Sequence, residues 1–464
     1  MLFTPVIELP RSTVALAAAV GIAFGIAYTL SPTTVVFLLV VPWLFVWAQR
    51  GLGPRERRWV LGALGLALLA RVAAVAVFFL LADHFSQPYA VMNGDERFIV
   101  GRSLWTLNLA LGRHVALPDY VWVFSPYGRS GLITALAYWE LFVGPAPYGP
   151  HLFNIVMWLI GATALHRTVR RSFGKLPALV GFATVLFMPT LFFWSISKLK
   201  EAPYVCLMAV TIAATMTVIR GGPVFRRLGA AVIAALALMA IASVRPVGVT
   251  VAVGGLAFAA GAWLVTRRAW LATAAVVLLL AGGFWALRQP PVQSRLLSEA
   301  NYAAVVHVGH VRSKGYSYKL LDRRFYGPIW NVAVFPVLEP AEAMRFAGRA
   351  VAGFVMVPLP WDIPSKPALA LLPQQMAWYV MVGLGCVGMI AGWRRDAIFT
   401  LVLLGNILIG TATIALFNGN VGTLSRLRDT VVPQVIWFSA LGGCVALEWA
   451  AGHFMKGSTH AHPR

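Results

Sequence analysis

Residues 59–81 read WVLGALGLALLARVAAVAVFFLL, a long apolar run entered from Arg55, Arg57 and Arg58 and left towards Met92-Asn93-Gly94-Asp95-Glu96-Arg97-Phe98. A run of about 20 apolar residues is long enough to cross the hydrocarbon core of a bilayer as a helix. Arginines cluster at the cytoplasmic ends of such helices, so this crossing runs from inside to outside and carries Asp95 and Glu96 onto the outer face. Asn-Gly before the acids is turn chemistry, which places the pair in a loop. The chain is 59% hydrophobic and has only 16 acidic residues in 464, so adjacent carboxylates at a membrane boundary stand out. They are costly there unless they meet a cation or do chemistry.

Working outward, similar apolar runs recur along nearly the whole chain. About 12 crossings are expected, near 13–30, 33–48, 59–81, 149–166, 177–194, 202–219, 228–244, 247–265, 270–287, 374–391, 396–417 and 430–450. The short alternating segments of a spanning barrel are absent. The net charge of +22 comes from short Lys and Arg clusters between apolar runs, which is a membrane layout and excludes nucleic acid as the expected partner. Cys206, Cys386 and Cys444 lie inside apolar runs without ligand spacing, so neither a disulfide framework nor a zinc site is expected. Among the histidines only His307 and His310 are close, and they form no metal motif. The N-terminal run lacks an evident cleavage site and is expected to be retained. No Walker loop, dinucleotide fingerprint or Ser/His/Asp order is present.

With the basic clusters inside, residues 82–147 form the first large outer loop. Within it, 131–143 is too short to span and suits an interfacial helix. Residues 288–373 form a second, polar outer segment. The chain thus divides into an N-terminal hairpin (1–58), a core (59–287), the outer segment (288–373) and three last crossings with a cytoplasmic tail (374–464). Several cations fall on the outer side and gain nothing there from orientation: Lys198, Lys200, Arg245, Arg426 and Arg428. Headgroup snorkelling accounts for some outer arginines, Arg345 and Arg349 among them. Arg245, between two apolar runs and followed by Pro246, points instead to an anionic ligand. Glu201 opens a helix at the same level, either as an ion-pair partner of Lys198 or Lys200 or as part of a site. Carboxylates beside several arginines are the parts needed for proton abstraction next to a phosphate leaving group.

Five segments carry a family resemblance in order: Gly94-Asp95-Glu96-Arg97-Phe98; Ser125-Pro126-Tyr127 through Trp139 to Phe142-Val143-Gly144; His151-Leu152-Phe153-Asn154; Trp194-Ser195 to Lys200-Glu201-Ala202-Pro203; and Arg245-Pro246-Val247-Gly248. Over about residues 59–287 the chain resembles the glycosyltransferase-C superfamily, in its polyprenyl-phosphate-sugar-dependent branch of protein O-mannosyltransferases and lipid A aminoarabinose transferases. Ser125 stands where the family often has a basic residue. The resemblance implies an all-α integral membrane enzyme with interfacial helices in its first large outer loop. It would sit in the plasma (inner) membrane with a periplasmic active site, moving a sugar with inversion from a polyprenyl-phosphate donor to a lipid, glycan or protein acceptor. In that reading Asp95 is the general base and Glu96 orients or replaces it. Arg245, Lys200, Arg426 and Arg428 hold the donor phosphate, and Glu201 and Tyr127 position substrate. No cofactor is required, and a divalent cation is compatible with the site. The alternatives are a polysaccharide polymerase or ligase with a pyrophosphate-linked donor, and a lipid or sugar transporter. A transporter predicts midplane charges and matching halves, neither of which the sequence displays.

Overall fold

The computed structural model describes residues 10–81, 94–126, 128–313, 315–327, 336–363, 369 and 372–458. Among these residues the regular structure is helical, and extended pairing is limited to an isolated antiparallel bridge between Ser317 and Asn420. Ten of the described helices are long and apolar enough to cross a membrane, and an eleventh crossing arises if one bent pair counts as a single span. Helices are the expected solution, because each satisfies its own backbone hydrogen bonds where no water is present. The first of the twelve expected crossings is helical over Arg11–Leu30, and its described apolar part covers Ser12–Ala23. The chain forms two compact units, one of Met1–Ile160 with Ser195–Ala202 and one of Gly161–Trp194 with Pro203–Arg464.

In the first unit, α1 (Arg11–Leu30) and α2 (Pro32–Gln49) make a hairpin. Ser31 stops one helix and starts the next: its Oγ accepts from Thr33 N at 3.1 Å, and Pro32 occupies the first helical position. The third helix, α3 (Pro54–Leu81), has 28 residues and is about 42 Å long, enough to extend beyond the hydrocarbon with its basic first turn. Three short helices follow, α4 (Gly94–Ala110), α5 (Leu117–Phe124) and α6 (Gly131–Val143). Both α5 and α6 pack on α4. As read from the sequence, α6 has 13 residues and is too short to span; Ser130 caps its start and Gly144, at φ 78°, ends it. The next long helix, α7, runs Gly149–Phe173, and its residues to Ile160 belong to this unit.

In the second unit, α8 (Lys175–Phe187) and α9 (Pro189–Ile196) are bent by 59° at Met188, where Pro189 breaks the helix. Long apolar helices follow: α10 (Glu201–Ile219), α11 (Val224–Val244), α12 (Pro246–Thr266) and α13 (Ala269–Arg288). The segment expected as a polar loop folds instead. It contains α14 (Pro290–Arg312), a 3₁₀ turn (Arg323–Tyr326) and α15 (Pro340–Met356). The chain ends with α16 (Leu372–Arg395), α17 (Ala397–Ala415), the short α18 (Val421–Arg428) and α19 (Val432–Ser458). Glycines set the closest helix crossings, where lipid supplies no hydrophobic drive and contact must come from packing. A methyl carbon on Gly388 of α16 would lie 1.8 Å from the Phe438 carbonyl oxygen of α19, and one on Gly442 would lie 1.9 Å from that of Leu384.

Candidate functional site

The acidic pair opens α4 rather than lying in a loop, and this decides how its members differ. Neighbouring residues on a helix point about 100° apart. Asp95 is exposed while Glu96 is fully buried, so the pair divides into one accessible and one inaccessible carboxylate. Lys198, also fully buried, is the cation that Glu96 acts on, raising its affinity for a proton. Desolvation outweighs this attraction and brings the Lys198 ammonium down to about 8.

A third charged group joins them that the sequence reading passed over. Glu140 of α6 is 2% exposed, and burial raises its carboxyl to about 7 against the weaker opposing influences of Ser103 and Lys198. Its Oε2 has no hydrogen-bond partner. The Ser103 hydroxyl on α4 stands next to Glu140 and donates to Val100 O at 2.9 Å. Desolvation is thus what favours the protonated form of Glu140, while Lys198 favours its charged form. Glu96 and Ser103 stand seven residues apart on α4, two helical turns, which aligns them on one face.

Lys198 is held in this cluster because its turn is held. The ring Nδ1 of His151, on α7, is bonded to Ile196 O, and Asn154 donates to the carbonyls of Ser197 and of Leu199, the latter at 2.8 Å. Arg71, fully buried on α3, donates through Nε to Ser195 Oγ at 2.7 Å and through Nη1 to Ala67 O at 3.1 Å. Residues 195–201 therefore form a rigid turn that delivers Lys198 inward and starts α10 at the buried Glu201. Lys200, expected at the donor phosphate, is only half-buried. The link from α4 to α5 is tied by Arg102, which donates to Val123 O at 3.0 Å and to Ser125 O. Tyr127 lies outside the described residues. Below these helices, α2, α6 and α7 enclose an apolar cavity of about 160 Å³ lined by Phe37, Val40, Trp139, Phe153 and Met157.

The remaining expected ligands belong to the second unit. Arg245 sits in extended conformation (φ −151°, ψ 94°) between α11 and α12, half-buried, with its guanidinium 5.1 Å from the centre of the Tyr204 ring. Arg426 is half-buried on α18. Arg428, expected as a phosphate ligand, is 4% exposed and engaged as a brace. It donates to the carbonyls of Phe354 (3.2 Å) and Val357 (2.9 Å) and to Gln375 Oε1 (2.9 Å), and stands 5.0 Å from the Trp378 ring. Such a guanidinium joins three chain segments instead of facing a ligand.

The two neighbouring histidines also act structurally. The imidazole of His307, fully buried, bonds Asn418 O at 2.6 Å through Nδ1 and Tyr326 Oη at 2.9 Å through Nε2. A carbonyl can only accept, so Nδ1 carries the proton and Nε2 receives the one from Tyr326. The Tyr326 oxygen in turn accepts from Leu320 N and Leu321 N. Burial holds the His307 imidazole down at about 4.

Comparisons with models of protein families, with curated proteins and with solved structures give no match to this chain.

Proposed function

We propose that this chain is a multi-pass membrane glycosyltransferase that takes a sugar from a polyprenyl-phosphate donor on the extracytoplasmic face. The observation that carries the reading is the division of the acidic pair: Asp95 is exposed at the start of α4, and Glu96 is buried beneath it beside Lys198. A general base must reach solvent-delivered substrate, while the residue that sets its position need not. Asp95 takes the proton of the acceptor hydroxyl, the acceptor oxygen bonds the anomeric carbon, and the carbon–oxygen bond to the lipid phosphate breaks. Lipid phosphate leaves with the bonding electron pair. Glu96 and Lys198 hold the first turn of α4 in place for that step. The leaving phosphate requires a compensating cation beside it. The apolar cavity among α2, α6 and α7 suits a hydrocarbon tail.

The experiment is transfer of labelled sugar from a panel of polyprenyl-phosphate sugars by purified protein in lipid nanodiscs. Turnover of one of them by the wild type, lost in Asp95→Asn with donor binding retained, supports the reading. If no donor of this class binds or turns over, the class assignment falls; turnover that survives Asp95→Asn removes Asp95 from the mechanism.

A further inference from the structure

Helix α15 has two apolar faces, and among the described residues one of them is covered while the other is exposed. Phe346, Ala350, Gly353 and Phe354 are buried and pack towards α14 and α17. On the other side Met344, Gly348 and Val351 follow one another at steps of four and three residues, the spacing of a single helical stripe that runs into the half-buried Val355. Met344 is 72% and Val351 51% exposed, and the stripe is continued before and after the helix by Val337 at 73% and Trp361 at 78%. In water, so much apolar side chain on one short helix would be costly.

The position of the helix says what covers it. Phe354 and Val355, in its last turn, line a cavity of about 130 Å³ together with Trp378, Cys386, Ile407 and Thr411 of the spanning helices α16 and α17. Cys386 lies 14 residues past Leu372, about 21 Å along α16. The same end is pinned by Trp378 Nε1, which donates to Val355 O at 2.9 Å, and by the Tyr379 hydroxyl, which donates to Met356 O at 2.6 Å. The C-terminal end of α15 is thus fixed beside helices long and apolar enough to cross the bilayer.

We propose that α15 is a bilayer-surface helix whose second stripe seats in the boundary between lipid headgroups and acyl chains. Trp361 has the ring chemistry of that boundary, and Arg345 and Arg349 lie along the edge of the stripe, where they reach phosphate while pairing with Asp322 at 3.6 and 3.1 Å. Since Arg349 also donates to Leu320 O at 3.1 Å and Arg324 pairs with Glu342, the segment 315–327 rides on the helix and is held at the membrane surface with it. This inference does not depend on the catalytic reading.

The test uses full-length protein in nanodiscs, with Cys386, the exposed native cysteine, replaced by Ser. A fluorescent label is placed at Met344→Cys or Val351→Cys, and at Arg295→Cys on α14 as a water-facing reference, that side chain being 82% exposed. At positions 344 and 351 the emission shifts to the blue and is quenched by phospholipid carrying doxyl near the headgroup, while aqueous iodide quenches only the label at 295. Iodide quenching of the labels at 344 and 351 to the extent seen at 295 overturns the proposal. So does shielding that appears only as protein concentration rises or when a second protein is added, because the stripe would then belong to a protein interface.

Discussion

At position 140 a glutamate sits in the otherwise apolar α6, and it makes the buried cluster sensitive to pH. Its carboxyl is raised to about 7 from an ordinary 4.5, chiefly by desolvation. A raised acid keeps its proton in the folded state while the unfolded chain loses it, so the stability it contributes is complete below about 4.5 and is lost as pH rises through about 7. The span corresponds to roughly 3 kcal/mol at most, at 1.36 kcal/mol per unit. Melting curves between those values should show that decline in the wild type and a flatter profile in Glu140→Gln; equal slopes would remove Glu140 as its source. At pH 7 Lys198→Met should destabilise by about 3–5 kcal/mol in thermal melts beside the wild type, since it removes the buried ammonium that acts with Glu96 and Glu140. The pairing of Asp95 with Glu96 was legible in the sequence, but their difference in exposure was not, because it depends on α4 beginning at Gly94. Glu140 and Arg71 did leave a signal, a lone charge inside an apolar run, and such charges mark sites by default. Lys198 and Lys200 cannot be told apart by hydropathy; the hydrogen bonds of Asn154 and His151 to the intervening carbonyls are what turn the first of them inward.

Among the elements, α14 and the segment after it depend on His307. Its imidazole is held down at about 4 by burial, from an ordinary 6.5. A depressed base contributes stability that is present above the unfolded value and is lost as pH falls through the folded one. Acidification from about 6.5 to about 4 should therefore loosen the contact of residues 316–326 with 417–420. Hydrogen exchange of the Leu320 and Leu321 amides measures this: their protection should fall over that interval in the wild type and be low at every pH in His307→Ala. Protection that does not change with pH would contradict the assignment of Nδ1–H and neutral Nε2. The helices Pro290–Arg312 and Pro340–Met356 were missed because they mix apolar and charged residues at spacings that average to a polar segment. The bracing contacts of Arg428 were not legible for a related reason. Its acceptors lie on Phe354, Val357 and Gln375, from 53 to 74 residues away, and no local pattern announces such a brace.

For the molecule as a whole, hydropathy was enough to anticipate an all-α membrane protein, because the bilayer constrains length and composition so strongly. The helices that match the expected crossings carry their Arg clusters at alternating ends, and the assignment of sides rests on that alternation alone. It predicts that Ser313, exposed at the end of α14, faces away from the cytoplasm. Ser313→Cys, with Cys386 replaced by Ser, should react with an impermeant maleimide in intact cells; reaction only after permeabilisation would invert the topology and move Asp95 to the wrong side. The central claim rests on Asp95 as the base in sugar transfer. Its most direct test is the initial rate of transfer from the polyprenyl-phosphate donor in nanodiscs, measured for wild type and Asp95→Asn beside donor binding. The account predicts a fall of about two to four orders of magnitude with donor affinity and melting temperature unchanged, since the side chain is exposed and Asn keeps its shape. Transfer by Asp95→Asn at close to the wild-type rate would contradict it.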